Sequence, residues 1–188
     1  DNLNEEQKQA VHNAFRHKIS IITGGPGVGK TTTIDEIVKQ ARRRERKVYL
    51  AAPTGRAANR MSEATGKAAK TIHRMLIVKD EHELDEEDND FVFNEEKHLS
   101  CDLLIIDEVS MLDLSLAAKL FSALSPDTAV VLVGDKDQLP SVGPGAVLHD
   151  LLCSECIPIV KLHRVFRQAE GSRIITSAHQ INQGQMPY

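Results

Sequence analysis

Short and mainly apolar runs of four or five residues recur along the chain and predict the strands of a buried sheet. They cover residues 19–23, 48–52, 103–106 and 129–133. Strands that are apolar on both faces are typical of parallel sheets with helices on both sides. Between the strands, the apolar residues recur at helical spacing instead. This alternation predicts a three-layer α/β domain built on a mainly parallel sheet.

Apolar residues three and four positions apart predict the helices. The first helix starts with a capping-box pattern, Asn4 followed by Gln7. Its apolar face is made of Ala10, Val11, Ala14 and Phe15. Two more helices are expected from residue 31 to about 43 and from residue 56 to about 64. Another is expected from the apolar stripe Leu112, Leu116, Leu120, Phe121 and Leu124.

An acidic segment interrupts this alternation at residues 77–98. It is either an inserted hairpin, in which residues 76–78 pair with residues 91–93, or a solvated loop. The loop is the preferred interpretation because runs of charge are usually solvated.

The end of the chain is the second interruption. A helical pattern begins at Ile174, but the chain ends soon after Gly184. We therefore expect residues 1–168 to form one domain and residues 169–188 to begin a connection to another.

Composition adds limits on the kind of protein. The 188 residues suit one domain, and 41% apolar residues suffice for a core. The net charge is −4, but residues 80–96 hold ten acids and no Lys or Arg, which leaves +6 on the remainder. The charge therefore neither excludes nor establishes a polyanionic partner. No apolar run reaches the ~18 residues of a membrane span, so no membrane partner is expected, and three cysteines fit a reducing cytoplasm.

Residues 24–31, Gly-Gly-Pro-Gly-Val-Gly-Lys-Thr, form a complete G-x-x-x-x-G-K-[ST] pattern between a predicted strand and a predicted helix. We call them the phosphate loop. Its glycines let backbone N–H groups converge on phosphate oxygens. Lys30 would reach the β- and γ-phosphates, and the Thr31 hydroxyl would bind Mg²⁺. A glycine turn with a chance lysine is disfavoured because the pattern and its context are complete.

Asp107 and Glu108 directly follow the strand at residues 103–106. Carboxylates at the end of a parallel strand lie where such sheets bind ligands. Asp107 would hold Mg²⁺ through water, and Glu108 would orient or deprotonate the attacking water. A solvated acidic pair is the alternative, but the phosphate loop makes ATP hydrolysis the leading hypothesis.

Three further polar motifs follow predicted strands or helices. Residues 134–140 contain Gln138, which can contact a γ-phosphate. Residues 52–58 place Arg56 at a helix start, and residues 71–74 contain His73.

Taken together, these motifs resemble those of superfamily 1 DNA helicases of the RecD type, the alpha subunit of exodeoxyribonuclease V and its stand-alone relatives. The resemblance runs from Leu3 to about Pro187. It rests on six motifs in order: Gly-Gly-Pro-Gly-Val-Gly-Lys-Thr-Thr-Thr, Ala-Pro-Thr-Gly-Arg-Ala-Ala, Thr-Ile-His-Arg-Met-Leu, Ile-Ile-Asp-Glu-Val-Ser-Met, Val-Gly-Asp-Lys-Asp-Gln-Leu-Pro-Ser-Val-Gly-Pro-Gly and Val-Phe-Arg-Gln.

The resemblance implies a role for each matching residue. Gln7 would read adenine, and Arg167 would contact the γ-phosphate beside Lys30, Glu108 and Gln138. The nucleotide and Mg²⁺ would also contact Gly25, Pro26, Gly27, Val28, Gly29, Thr31, Thr32 and Asp107. Single-stranded DNA would pass over Pro53, Thr54, Gly55, Arg56, Thr71 and His73, mostly through its phosphates.

The resemblance also implies the setting. Residues 1–168 would be the first of two RecA-like motor domains, which use ATP and Mg²⁺ to move 5′-to-3′ on single-stranded DNA in recombination and repair. The resemblance covers both stand-alone helicases and subunits of a helicase–nuclease complex, so it leaves open whether other subunits are partners. Without the second domain, we expect slow ATP hydrolysis. The acidic segment falls where the family inserts a strand-separating hairpin, with Phe91 and Phe93 as the wedge.

Other interpretations remain open at this stage. A protein-remodelling switch would leave Arg56 and His73 without a role, and a non-enzymatic DNA-binding or scaffolding module would not need Lys30. An RNA helicase would share the motifs. A zinc site could be built from His149, Cys153, Cys156 and His163, but its spacing is not standard. The basic run at residues 42–47 is explained as a solvated helix end.

Overall fold

The computed structural model describes residues 3–25, 27–77, 93–135 and 156–163. The strands in these ranges are β1 (Ile19–Thr23), β2 (Val48–Ala52), β3 (Ala69–Thr71), β4 (Leu103–Ile106), β5 (Ala129–Gly134) and β6 (Ile159–Lys161). The helices are α1 (Glu5–Arg16), α2 (Lys30–Arg43), α3 (Gly55–Thr65), α4 (Ile72–Ile77) and α5 (Leu114–Ser122), with a 3-10 turn at Val109–Met111. The predicted bounds of the four apolar strands are confirmed to within one residue.

All the strands belong to one parallel sheet with the order β3-β2-β4-β5-β1-β6. The predicted mainly parallel sheet is therefore confirmed. Every strand ends at the same edge of the sheet, because all of them run in the same direction. The ends of β1, β4 and β2 carry the phosphate loop, Asp107 and residues 53–56 respectively, so the topology brings these three segments to one edge.

Side chains alternate across the strands and build a hydrophobic core on each face of the sheet. One core packs strand residues such as Ile22 and Ile105 against α1, α2 and α3. The other packs residues such as Ile21 and Leu104 against α4, α5 and the 3-10 turn. This arrangement confirms the three-layer α/β architecture.

The two edge strands, β3 and β6, were not predicted from the pattern of apolar residues. Each is only three residues long, and each has exposed or half-buried positions. Their sequence is therefore uninformative, and pairing decides their conformation: β3 pairs with β2, and β6 pairs with β1.

The prediction of one helix over the stripe from Leu112 to Leu124 is wrong at both ends. Leu112 follows the 3-10 turn, and α5 begins only after Asp113, whose side chain accepts a 2.7 Å hydrogen bond from the Leu116 N–H. Leu124 lies beyond the helix and forms an isolated parallel bridge with Leu99. All of these leucines still pack against the same core, which explains why the stripe imitates one helix.

The hairpin proposed for the acidic segment is also wrong in its first arm. Leu76 and Ile77 belong to α4, because Ile72, Met75 and Leu76 have helical spacing and are buried in the second core. Phe93 does not project freely as the wedge of such a hairpin would. It packs partly buried against that core, and its N–H donates to the Leu76 carbonyl at 3.1 Å. Val78, Phe91 and Val92 lie outside the described residues.

The predicted capping box of α1 is confirmed. The Gln7 N–H donates to Asn4 Oδ1 at 2.8 Å, and the Asn4 N–H donates to Gln7 Oε1 at 3.0 Å. Within the described parts of the chain, no helix has both the length and the apolar character that a lipid bilayer requires.

The C-terminus of α2 places a non-glycine residue in the left-handed region. Glu45 has φ 56°, and the turn is closed by the Glu45 N–H to the Arg42 carbonyl and the Arg46 N–H to the Ala41 carbonyl, both at about 3 Å. At the end of α3, the same left-handed position is filled by Gly66 with φ 63°. A side chain at such a position costs about 1 kcal/mol relative to glycine.

We therefore expect Glu45→Gly to stabilise the folded chain by up to about 1 kcal/mol, which is a rise of roughly 2–4 °C in Tm. Thermal unfolding followed by circular dichroism measures this effect. Glu45→Ala is the matched control, because alanine carries the same backbone penalty and should leave Tm nearly unchanged. A glycine variant no more stable than the alanine variant contradicts the explanation.

Candidate nucleotide and nucleic-acid site

The phosphate loop is held between β1 and α2. The Gly24 N–H donates to the Gly134 carbonyl at the end of β5, at 3.3 Å. Gly27 and Gly29 have φ 75° and 90°, a backbone conformation that residues with a Cβ rarely adopt. Gly29 caps α2 with no side-chain hydrogen bond, so the first N–H groups of α2 are not covered by a capping side chain. An anion-binding turn needs this arrangement.

A cavity of about 260 Å³ lies beside the loop. Its lining includes Gly27 and the polar side chains of Lys30, Thr31, Arg60, Thr65, Asp107 and Glu108. The structure therefore brings together the predicted phosphate-binding lysine, the predicted Mg²⁺ ligands and the predicted water-activating carboxylate. Hydroxyl and carboxylate oxygens are the ligands that Mg²⁺ prefers, so the residues present fit a Mg²⁺–nucleotide.

Asp107 stands at the end of β4, and its N–H donates to the Ala51 carbonyl of β2 at 3.0 Å. Burial raises the pKa of its carboxyl above the ordinary value. The hydrogen bond from the Glu108 N–H and the charges of Lys30 and Arg60 only partly offset this rise in pKa. A cation bound beside Asp107 would favour the ionised form of this buried carboxyl and so lower its pKa.

Glu108 lies in the left-handed region, with φ 56° and ψ 36°. Such a conformation costs roughly 1–3 kcal/mol and clusters at functional sites. The turn aims the side chain into the cavity, where it is 16% exposed and accepts a hydrogen bond from Arg60 Nη2 at 2.9 Å. Arg60 is a residue of this site that the sequence analysis missed. The only signal for it was its position four residues after Arg56 on an amphipathic helix.

Gln7 is buried, with 4% exposure, and its side chain joins α1 to the phosphate loop. Its Oε1 atom is part of the capping box, and its Nε2 atom donates to the Gly29 carbonyl at 3.2 Å. A Cβ atom on Gly29 would collide with the same amide. The contact with adenine stays a prediction, whereas the contact with the loop is a property of the structure.

The residues predicted on the DNA path share one edge of the sheet. Ala52 and Thr71 are paired in register, so residues 53–56 after β2 and His73 after β3 continue from adjacent positions. The Thr54 side chain caps α3 by accepting from the Ala57 N–H at 3.3 Å. Gly55, Arg56 and His73 are exposed, and Pro53 and Thr71 are half-buried. The structure thus brings these residues together on one accessible surface.

Some predicted residues cannot be placed. Pro26, Gln138 and Arg167 lie outside the described residues, as do His149 and Cys153. Asp135, the second residue of the motif containing Gln138, is buried, and a Cβ added to Gly25 would lie 4.0 Å from its carboxylate. The start of this motif therefore lies beside the phosphate loop, to which it is joined by the hydrogen bond from the Gly24 N–H to the Gly134 carbonyl.

The two described members of the zinc site that the sequence left open, Cys156 and His163, do not lie in a metal-binding cluster. Cys156 is exposed, whereas His163 Nδ1 is 2.7 Å from Glu6 Oε1, and this hydrogen bond lowers the pKa of Glu6. No cluster of three or more His, Cys, Asp or Glu residues occurs in the described ranges. Cys101 is half-buried against the second core, and burial raises the pKa of its thiol to about 11.

A protein-family model described as an AAA domain matches residues 7–144, well over half of the chain. The chain belongs to this AAA domain family. The matched range includes the whole phosphate loop, Asp107, Glu108 and every predicted DNA-path residue.

Among individual proteins, this AAA domain is similar to the ATP-dependent RecD2 DNA helicase of Deinococcus radiodurans, with 40% identity over 98% of the chain and 24% of that protein. It is also 37% identical to the RecBCD enzyme subunit RecD of Mycolicibacterium smegmatis, over 79% of the chain and 30% of that subunit. These relatives confirm the RecD-type identification. The chain spans about a quarter to a third of their length.

Solved structures of helicases share the fold of this AAA domain. The Pif1 helicase from Candida albicans aligns with a TM-score of 0.61 at 22% identity, over 100% of the chain and 45% of that structure. Bacteroides Pif1 bound to ssDNA aligns with a TM-score of 0.59 at 24% identity, over 99% and 47%. At sequence identities of 22% and 24%, these structural similarities show a shared fold only.

The raised pKa of Asp107 leads to a stability prediction. Its ionised form is disfavoured in the fold relative to the unfolded chain, so the charge costs stability at neutral pH. We expect Asp107→Asn to raise Tm at pH 7 without Mg²⁺, and the gain to shrink as pH falls toward the ordinary Asp pKa of about 3.9.

The same variant should lose stabilisation by Mg²⁺ with a non-hydrolysable ATP analogue. For the parent chain that stabilisation is about 2.7 kcal/mol at a ligand concentration 100 times Kd. Asp127→Asn, in an exposed turn, is the control and should change neither quantity. If Asp107→Asn lowers Tm at pH 7 or keeps the full ligand effect, the role of Asp107 is wrong.

Proposed function

We propose that the chain is the first RecA-like motor domain of an ATP-dependent DNA helicase or translocase. One observation carries the proposal. Ala51 of β2 and Ile106 of β4 are paired in register, and the chain continues from β4 into Asp107 and from β2 toward residues 53–56. The nucleotide cavity and the candidate DNA surface are therefore adjacent, which favours coupling of one to the other.

Within the cavity, each residue has a chemical task. The N–H groups of the phosphate loop and the ammonium group of Lys30 bind phosphate oxygens. Thr31 directly and Asp107 through water would hold Mg²⁺, which when bound would neutralise charge on the phosphates. Glu108 orients the attacking water and accepts its proton. Gln138 and Arg167 complete the contacts with the γ-phosphate, and Gln7 contacts adenine.

On the neighbouring surface, Thr54, Arg56 and His73 bind the phosphates of single-stranded DNA. Such contacts position the strand without reading its sequence. The RecD2 relative is named as a DNA helicase, which supports DNA over RNA as the substrate. The RecD relatives are named as subunits of the RecBCD enzyme, which supports association with further subunits.

Three finer points belong to the same proposal. Residues 1–168 form the motor domain, and residues 169–188 lead to a second motor domain that closes the nucleotide site. Movement is 5′-to-3′, in the service of recombination and repair. Without the second domain ATP hydrolysis is slow, because a missing charge-stabilising arginine costs on the order of 10³-fold or more in related enzymes.

The decisive measurement is ATP turnover by the full-length protein with and without a single-stranded DNA oligonucleotide. We expect DNA to raise turnover on the order of tenfold or more, equal to about 1.4 kcal/mol in barrier height. Lys30→Ala is the negative control, because it removes the positive charge proposed to bind the phosphates. Turnover indifferent to DNA would instead favour an ATP-driven switch that remodels proteins.

A double substitution separates ATP binding from stimulation by DNA. Arg56→Ala combined with His73→Ala should abolish stimulation by DNA, while binding of a fluorescent ATP analogue persists. An RNA oligonucleotide of the same sequence tests the remaining alternative. Stimulation by RNA alone would contradict the DNA proposal.

A further inference from the structure

The ion pair between Arg60 and Glu108 joins two segments that are 48 residues apart in the chain. Arg60 Nη2 lies 2.9 Å from Glu108 Oε1, and the arginine belongs to α3 whereas the glutamate follows β4. The two ends of the pair differ in exposure: the Arg60 side chain is 63% exposed, and the Glu108 side chain is 16% exposed.

The pair matters for chemistry more than for stability. An ion pair with one partner largely in solvent contributes little to the stability of the fold. However, the carboxylate of Glu108 is the one that must accept a proton from water. A guanidinium bonded to one of its oxygens occupies a lone pair and fixes the carboxylate toward α3. While the pair is intact, Glu108 is restrained from acting on a water molecule.

Helix α3 also carries the candidate DNA surface. Thr54 caps its first turn, and Arg56 and Arg60 are four residues apart, so they lie on the same side of the helix. The helix has 11 residues, too short to bend appreciably, and it packs on α2 and β3. A small rigid shift of α3 when its first turn binds phosphates would therefore also move Arg60 relative to Glu108.

We propose that Arg60 is a positioning residue that restrains Glu108 in the absence of DNA and releases it when DNA binds the first turn of α3. The proposal rests on the proposed function, because it takes Glu108 as the group that activates water and residues 54–56 as a DNA contact. It also explains why ATP would be hydrolysed slowly when no DNA is bound. Arg60 acts through Glu108 and does not itself contact the reacting atoms.

The test uses the full-length protein and measures kcat and KM for ATP with no DNA and with saturating single-stranded DNA. Arg60→Ala should raise DNA-free kcat about fivefold, equal to about 1 kcal/mol. Turnover at saturating DNA and KM for ATP should change little. Arg60→Lys retains a positive charge for Glu108 and should restore most of the low DNA-free turnover.

Arg43→Ala is the matched control. Arg43 is likewise an exposed arginine, 4.0 Å from the carboxylate of Glu36, but it lies at the far end of α2, about 20 Å along the helix from the phosphate loop. Its substitution should leave both rates unchanged. A double variant, Arg56→Ala with Arg60→Ala, should keep the raised DNA-free turnover, since Arg60 acts after the DNA contact.

The outcomes distinguish this proposal from the function on which it rests. If DNA stimulates the parent protein but Arg60→Ala has unchanged or lower DNA-free turnover, only the restraint by Arg60 is wrong. A raised KM with lower turnover at both DNA conditions would mean that Arg60 binds the nucleotide instead, which also overturns the restraint. If DNA does not stimulate the parent protein, both proposals are overturned.

Discussion

The parallel direction of the strands β1 to β6 is the constraint on which the site depends. Parallel strands need helices to return the chain, so the sheet is covered on both faces and its interior is apolar. The segments that follow parallel strands all leave the sheet at the same edge. The phosphate loop after β1, Asp107 after β4 and Thr54 after β2 meet there because their strands end at that edge.

Groups at this edge are held in arrangements that cost stability. Glu108 has a backbone conformation that favours glycine, and burial raises the pKa of Asp107. The surrounding hydrogen bonds hold both residues in place: the Asp107 N–H bonds to the Ala51 carbonyl, and the Glu108 N–H bonds to the Asp107 carboxylate. A strained and partly desolvated site of this kind is poised to bind a cation and a polyanion, which supply the missing interactions.

The two helices beside the cavity have different tasks. Helix α2 begins in the phosphate loop and offers its N-terminus, with Lys30 and Thr31, to the nucleotide. Helix α3 begins at the surface proposed for DNA and reaches the cavity through Arg60. Gln7 on α1 fixes the loop from the other side by its bond to the Gly29 carbonyl. Local turns thus form the nucleotide site, and helix α3 connects this site with the surface proposed for DNA.

The sequence by itself determined those structural features that depend only on residues a few positions apart in the chain. The apolar runs located four strands to within one residue, and Asn4 with Gln7 located the start of α1, because period and capping are local properties. The phosphate loop was recognisable for the same reason. Only tertiary pairing decided the short strands β3 and β6. It alone brought Arg60 to Glu108, since a contact between residues 48 positions apart arises only when the sheet orders β2 beside β4.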